Sequence, residues 1–334
     1  MFSLNTIDYV QIGAPGSTYV YDILPLPEGL AALTSDDALR IFNLQSLSEP
    51  CSLLKNVGES TTCFRAIDNT CLVAVAGRDG VVRLWDIRSS QKQVAEIKVG
   101  DSSPILSLAI CQPFRLATGS ELTNHQASVV LWDLRTLGSP ILQYNESHSD
   151  DITELQFHPL SPNLILSGST DGLINIYNSD ITDEEEALHQ TINHGASVHH
   201  ANFITGTDIF ALSHDENLSI YDLVTSLDEG TSPMHQVHFN DVRKKLGGEY
   251  VAQVIGRPDG SAVLGMGKHS LESFELIQLK NNPPWAFMPD EKVSLLGGHG
   301  SDIIRSFCFL DSHQTIFTCG EDGQIKAWKD RQVA

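Results

Sequence analysis

His194, His199 and His200 fall close together, and imidazole is the commonest transition-metal ligand. Successive side chains on a strand point to opposite faces, so His199 and His200 are not expected to share one ion, and His194 opens the strand they occupy. Ser213-His214-Asp215 puts the residue types of a hydrolytic triad side by side. A triad is assembled by geometry across a fold, so adjacency carries no weight. Gly265-Met266-Gly267-Lys268 has neither the spacing nor the strand-to-helix setting of a phosphate loop. The six cysteines, at 51, 63, 71, 111, 308 and 319, show no C-x-x-C spacing, and several sit inside apolar runs where a thiol behaves as a small hydrophobe. Arg243-Lys244-Lys245 is a short basic cluster and is not read as a site. The expectation is a protein with no catalytic residue, no metal and no cofactor.

What remains to act is surface, and the elements that position it are read from periodicity. The 334 residues are 41% hydrophobic and 19% charged, a globular composition. No apolar run approaches the roughly 18 residues of a membrane span. Met1-Phe2-Ser3-Leu4-Asn5 lacks the basic start of a secretory signal, so an intracellular protein, nuclear or cytoplasmic, is expected.

Seven alternating apolar runs end in an aromatic followed by a polar residue: Phe42-Asn43, Trp85-Asp86, Trp132-Asp133, Tyr177-Asn178, Tyr221-Asp222, Phe274-Glu275 and Trp328-Lys329. The aromatics are 43, 47, 45, 44, 53 and 54 residues apart, which brackets the roughly 40 to 45 of a four-stranded propeller blade. Asp171-Gly172, Asp79-Gly80 and Asp322-Gly323 stand between paired apolar runs, the strongest short hairpin signal. Asp215-Glu216-Asn217 takes that place in the fifth unit, while the sixth has neither an Asp-Gly turn nor an opening histidine. Loops are expected at about Glu121–Ser128, Ser179–Glu186, Asp228–Gly248 and Asn281–Glu291.

With these features the chain resembles WD-repeat (WD40) proteins. The resemblance implies an all-β, seven-bladed propeller over residues 1–334, a single domain closed by an N-terminal strand, here Asp8–Ile12, that completes the last blade. It also implies a buried hydrogen-bonded set per blade. His148, Ser167 and Asp171 match it with Tyr177 in the Trp place; the seventh blade offers His299, Asp322 and Trp328 but has Cys319 at the hydroxyl position, so its set is expected to be incomplete. The runs Ser147–Thr153, Phe157–Pro159, Leu166–Gly172 and Asp183–Leu188, with Gly297–His299, Arg305–Cys308 and Gly320–Asp322, are similar to the family of WD-repeat-containing protein 89.

Charge gives the functional clue. The net charge is −21, and from Thr136 to Val242 there is no Lys or Arg against 17 carboxylates. A one-signed sector of this kind repels nucleic acid and anionic lipid and steers basic partners. The expected role is a non-enzymatic, monomeric scaffold or chaperone-like binder of a basic protein, such as a ribosomal protein, which would place it in ribosome biogenesis. The resemblance to WD propellers implies that Asp150, Asp151, Asp215 and Glu216 lie in loops of the narrower face, and they are the candidate contacts; Asp183–Glu186, expected in a loop toward the opposite face, reads as a solvated tip. The alternative rests on Trp85-Asp86-Ile87-Arg88 and Trp132-Asp133-Leu134-Arg135. Consecutive W-D-x-R motifs resemble the box by which some WD proteins dock on the adaptor of cullin-4 ubiquitin ligases, which implies Arg88 and Arg135 as contacts on the opposite face.

Overall fold

A computed structural model describes residues 2–27, 29–67, 70–88, 92–100, 103–111, 114–224 and 236–330. Seven antiparallel sheets follow one another along the chain, covering 20–55, 61–98, 105–144, 152–193, 198–241, 250–296 and 304–329, and each is a blade. The first strand of each blade touches the first strand of the next. The first strand of blade 7, Ile304–Leu310, touches that of blade 1, Val20–Leu26, so the ring closes. Second strands are the most deeply buried; Gly29–Thr34 and Asp208–Ser213 are buried at every position. Each is flanked by a strand on either side and covered by a blade on both faces, so apolar residues are needed at consecutive positions and the alternation seen in other strands is lost.

The closing strand is longer than the sequence indicated. Phe2–Gln11 is continuous; Asn5 to Gln11 pair antiparallel with Lys329 to Gln324 of blade 7, and the Ile12 N–H donates to the Gly323 carbonyl at 2.8 Å. Phe2 to Leu4 then pair in parallel with Val293 to Leu295 of blade 6. One strand therefore supplies the fourth position of blade 7 and joins blades 6 and 7 into an eight-stranded sheet.

Every first strand also carries a register shift at the same place, at Val20/Asp22, Thr61/Cys63, Ile105/Ser107, Ile152/Glu154, Val198/His200, Val251/Gln253 and Ile304/Ser306. A bulge sets two residues against one and re-aims side chains. Alternation therefore fails at His199 and His200, whose ring centroids lie 4.0 Å apart.

Blade 6 corrects the aromatic repeat. Phe274 lies at the start of the third strand, Ser273–Asn281, pairs with Gly267, and packs edge-on against Phe307 of blade 7. The far end of that strand carries Leu279, buried between blades 5 and 6 beside Trp285. Trp285 belongs to the next strand, Trp285–Leu296, and its Nε1 donates to Asp208 Oδ1 of blade 5 at 2.8 Å. Those two strands run through most of the expected loop Asn281–Glu291. Of the expected loop Asp228–Gly248, residues 228–235 lie outside the described residues, and the remainder holds the strand Gln236–Asp241 and the helix Val242–Leu246. Among the described residues no helix is long and apolar enough to cross a membrane.

Replacing Trp285 by Phe keeps the ring and removes the donor to buried Asp208. The expected outcome in urea unfolding is a loss of about 1–3 kcal/mol, the cost of a buried polar group left short of a partner; an unchanged midpoint would show that the bond contributes nothing.

Candidate functional site

The loops on the face that bears the strand-opening histidines are held from beneath by hydrogen bonds. In blade 4, His148 Nδ1 meets Asp171 Oδ2 at 3.0 Å, His148 Nε2 meets Ser167 Oγ at 2.7 Å, and Ser167 Oγ donates to the Tyr177 hydroxyl at 3.4 Å. Blade 7 repeats the set without a gap, contrary to the sequence expectation. His299 Nδ1 meets Asp322 Oδ1 at 2.8 Å, and Thr318 Oγ1 lies 2.8 Å from His299 Nε2 while accepting from Trp328 Nε1 at 2.9 Å. Cys319 points to the other face of the strand and packs against blade 1. Thr318 stands four residues before its turn aspartate, as Ser167 does before Asp171, so that count was the signal that identifies it. Blade 5 has Ala211 at this place, opposite Ser219, and His194 Nδ1 reaches the Tyr221 hydroxyl directly at 2.9 Å.

On this upper face the four candidate carboxylates divide. Asp215 is exposed and Asp150 half-buried. Asp151 Oδ1 accepts the Leu122 N–H of blade 3 at 2.7 Å, and Glu216 Oε1 accepts the Val251 N–H of blade 6 at 3.2 Å, so both stitch neighbouring blades together. Burial pushes the Glu216 carboxyl up. The stretch without basic residues ends at Val242, and the next residue folds back over it. Arg243 donates to the Asp215 carbonyl at 3.1 Å and to Asp241 at 2.9 Å. Further ion pairs in the sector include Glu154 with Arg65 at 3.6 Å and Asp180 with Arg115 at 3.5 Å.

The run Asp183–Glu186 is not a solvated tip. Asp183 caps the short helix Glu184–Ala187, accepting from the Glu186 N–H. The Glu184 carboxylate accepts the N–H groups of Asn145, Glu146 and Ser147 at 2.6, 2.9 and 2.8 Å, and the Ser147 hydroxyl as well. Tyr144, stacked on Tyr177 at 4.8 Å, donates to the Ile181 carbonyl at 2.9 Å. The helix is thereby clamped to the blade 3–4 boundary, which leaves Glu146, Asp183, Glu185 and Glu186 exposed on a fixed patch.

The opposite face carries the two W-D-x-R motifs. Arg88 holds Asp86 by two bonds of 3.0 and 2.7 Å, and Arg135 holds Asp133 at 2.9 and 2.6 Å; the arginine side chains are 70% and 62% exposed. The Arg135 guanidinium keeps the Asp133 carboxyl down at about 2 and lies 5.7 Å from the Phe114 ring centroid. Exposed pairs of this kind add little stability.

Ser213, His214 and Asp215 are not brought together as a triad, since Ser213 is buried and His214 is exposed and bonded to Ser197 at 3.0 Å. Among the described residues no group of three or more His, Cys, Asp or Glu is placed to hold a metal ion. Instead Arg65 of blade 2 stands across the central channel, 3.8 Å from Asp22 of blade 1 and 3.6 Å from Glu154 of blade 4, which in turn meets His200 of blade 5 at 3.0 Å.

Comparison with known proteins adds identity to this geometry. The family described as WD domain, G-beta repeat matches residues 55–86, 138–178 and 290–329. An uncharacterized WD repeat-containing protein of Schizosaccharomyces pombe is 31% identical over 96% of this chain and 98% of its own length. One of Saccharomyces cerevisiae is 35% identical over 78% of this chain, which spans 64% of that relative. The WD repeat-containing protein 89 homolog of Dictyostelium discoideum is 26% identical over 93% of this chain and 82% of its own.

Thr318→Val should destabilise the protein by about 1–3 kcal/mol, because His299 and Trp328 both lose their shared partner, whereas Cys319→Ala should cost less; calorimetric melting of the two variants decides which position carries the hydroxyl. Burial also lowers the pKa of His299 and takes that of His199 from 6.5 down to about 2. Below about pH 6.5 the unfolded chain takes up protons that these folded histidines refuse, so stability present at neutral pH declines as pH falls, by up to about 1.4 kcal/mol per pH unit for each group. Asp22 and Glu216, raised by burial, oppose that loss at the acid end of the range. Urea midpoints between pH 7.5 and 5 should drop accordingly, and His199→Gln should make the drop shallower.

Proposed function

The chain belongs to the WD-repeat β-propeller family, whose members generally act as protein-interaction scaffolds, and from that premise we propose that residues 1–334 work as one monomeric, non-enzymatic platform for a basic protein client. The observation that carries this reading is the fixed acidic surface of blades 4 and 5. Glu185 and Glu186 on the helix, Asp183 at its cap and Glu146 in the loop that Glu184 clamps are exposed, and exposed Asp215 and half-buried Asp150 lie nearby in the ring order. A rigid ring loses little ordering entropy on docking, and unpaired carboxylates of one sign raise the encounter rate of a cationic chain. Asp151 and Glu216 serve it from beneath by fixing the loops. A ribosomal protein fits the chemistry, in the nucleus or the cytoplasm; nucleic acid and membrane do not.

A second reading is supported by the exposure of Arg88 and Arg135, each held at a set angle by its own aspartate. In this reading the lower face docks on a cullin-4 ligase adaptor while the upper face keeps the client.

Charge reversal separates the readings. Asp150→Lys with Asp215→Lys, Glu185→Lys and Glu186→Lys should cut binding of a lysine- and arginine-rich peptide at least about tenfold, and raised salt should mimic the change, since exposed charges are screened beyond about 10 Å at 0.1 M. Arg88→Ala with Arg135→Ala should leave that binding intact and remove adaptor capture. Salt-insensitive binding, unmoved by the reversal, would discard the acidic surface as the client site.

A further inference from the structure

Across the ring from the acidic sector, the upper face holds a site of the opposite bonding character. Blades 7, 1 and 2 border a cavity of about 640 Å³ there, whose wall includes Tyr21, Asp37, Ser60, Arg78 and Arg305. In a closed ring of seven, blade 1 stands opposite the seam of blades 4 and 5.

The polar groups of this wall are sorted by kind. Its acceptors are engaged within the protein: Asp37 Oδ1 accepts the Thr61 N–H at 2.7 Å and the Thr61 hydroxyl at 2.8 Å, Asp37 Oδ2 accepts the Ser60 N–H at 3.2 Å, and Ser35 Oγ accepts the Tyr19 N–H at 2.9 Å. Its donors are not used up. Arg78 donates through Nη1 alone, to Glu121 at 2.7 Å, and Arg305 through Nε and Nη2, both to one oxygen of Glu321 at 2.9 and 2.5 Å. Nε and Nη2 of Arg78, Nη1 of Arg305 and the hydroxyls of Tyr21 and Ser60 have no partner among the described residues. They can be reached from solvent, since the two arginine side chains are 57% and 47% exposed, Ser60 is exposed and Tyr21 is half-buried. A guanidinium has no acceptor, and a hydroxyl can turn its proton toward a ligand. The group that meets this wall is therefore one that only accepts, an ionised carboxylate or a phosphoryl group.

Charge narrows the class. Each guanidinium already faces a glutamate, and Asp37 stands in the wall, so a doubly charged phosphoryl group meets more repulsion than a singly charged carboxylate. The glutamate pairs are partly exposed and hold the arginines weakly, so sharing a guanidinium with another carboxylate costs little. Size names the carrier. The cavity lies within the roughly 300–1,000 Å³ of sites that take drug-sized ligands, far more than one small carboxylate fills and enough for a few residues of extended chain.

We propose that this cavity binds an acidic peptide segment of a partner protein, its glutamate or aspartate carboxylates accepting from Arg78 and Arg305, with the hydroxyls of Tyr21 and Ser60 as further donors. The site shares no residue with the carboxylate surface of blades 4 and 5, so it does not rest on the basic-client reading.

The test uses the whole protein at roughly 0.15 M salt and calorimetric titration with peptides of one design: a glycine–serine chain carrying two central glutamates, two glutamines or two phosphoserines. The net charge of −21 repels an acidic peptide at long range, so saturable binding of the glutamate peptide reports local donors. It should bind at least about tenfold more tightly than the glutamine peptide, and Arg78→Gln with Arg305→Gln should remove that advantage. No saturable binding, equal affinity of these two peptides, or an advantage unmoved by the arginine variant would overturn the proposal. A phosphoserine peptide at least about tenfold tighter than the glutamate peptide would overturn the carboxylate in favour of a phosphoryl group, and acetate matching the glutamate peptide would overturn the peptide in favour of a free carboxylate. If the double variant melts too low to be titrated, Tyr21→Phe, which keeps the ring and deletes one donor, should still weaken the glutamate peptide several-fold, and an unchanged affinity there overturns the proposal.

Discussion

A four-stranded sheet has two edges, and an unpaired edge is a template for unwanted pairing. In this ring the inner edges are handled by mutual contact, first strand against first strand around the channel. Blade 7 is different, because its chain segment supplies only three strands and its third strand would end the sheet exposed. Phe2–Gln11 removes that edge and, by running on in parallel with blade 6, ties the two ends of the ring to each other. Everything presented on the faces depends on this pairing. It is also the contact of greatest sequence separation in the fold, so the platform cannot be completed until the last strand of the chain has met the first.

The repeated bulge is the second constraint. A regular strand at the inner edge would show alternate residues to the channel, whereas seven bulges in the same place bring consecutive pairs to bear. Polar and charged residues gather there, and Arg65 can reach carboxylates from blades on both sides of its own. The resulting cross-channel group ties blades 1, 2 and 4 to one another at the middle of the channel.

The parts of the design legible in the sequence were those expressed locally. Blade period, Asp-Gly turns and the His148, Ser167, Asp171 set all lie within about one repeat, and each is fixed by backbone geometry that glycine or a short polar side chain must meet. Thr318 was equally legible, by its offset from Asp322, and was missed because the cysteine beside it occupies the neighbouring, opposite-facing place. What sequence could not show were contacts made across repeats. Phe274 has the right neighbours and the wrong register, since the blade 5–6 seam is filled from the next strand by Trp285. Glu184 looked like one of four repelling charges until folding set three backbone N–H groups of the connection between blades 3 and 4 around it. Arg243 lay just past the end of an all-acidic stretch, yet the chain turns there and returns the charge to Asp215.

The two faces therefore recognise by different physics. On the upper side several carboxylates are spent inwardly on backbone donors, and their fixed negative charge still adds to the field of the exposed ones, which act over roughly a Debye length. On the lower side each exposed arginine is neutralised at contact distance by its own aspartate, so little field projects into solvent despite the visible cations. Binding there must come from shape and hydrogen bonds made after contact, with Arg88 and Arg135 offering oriented donors at the periphery. A partner drawn in by charge above and one fitted by contact below do not compete for the same surface, which is the arrangement a rigid ring with two open faces permits.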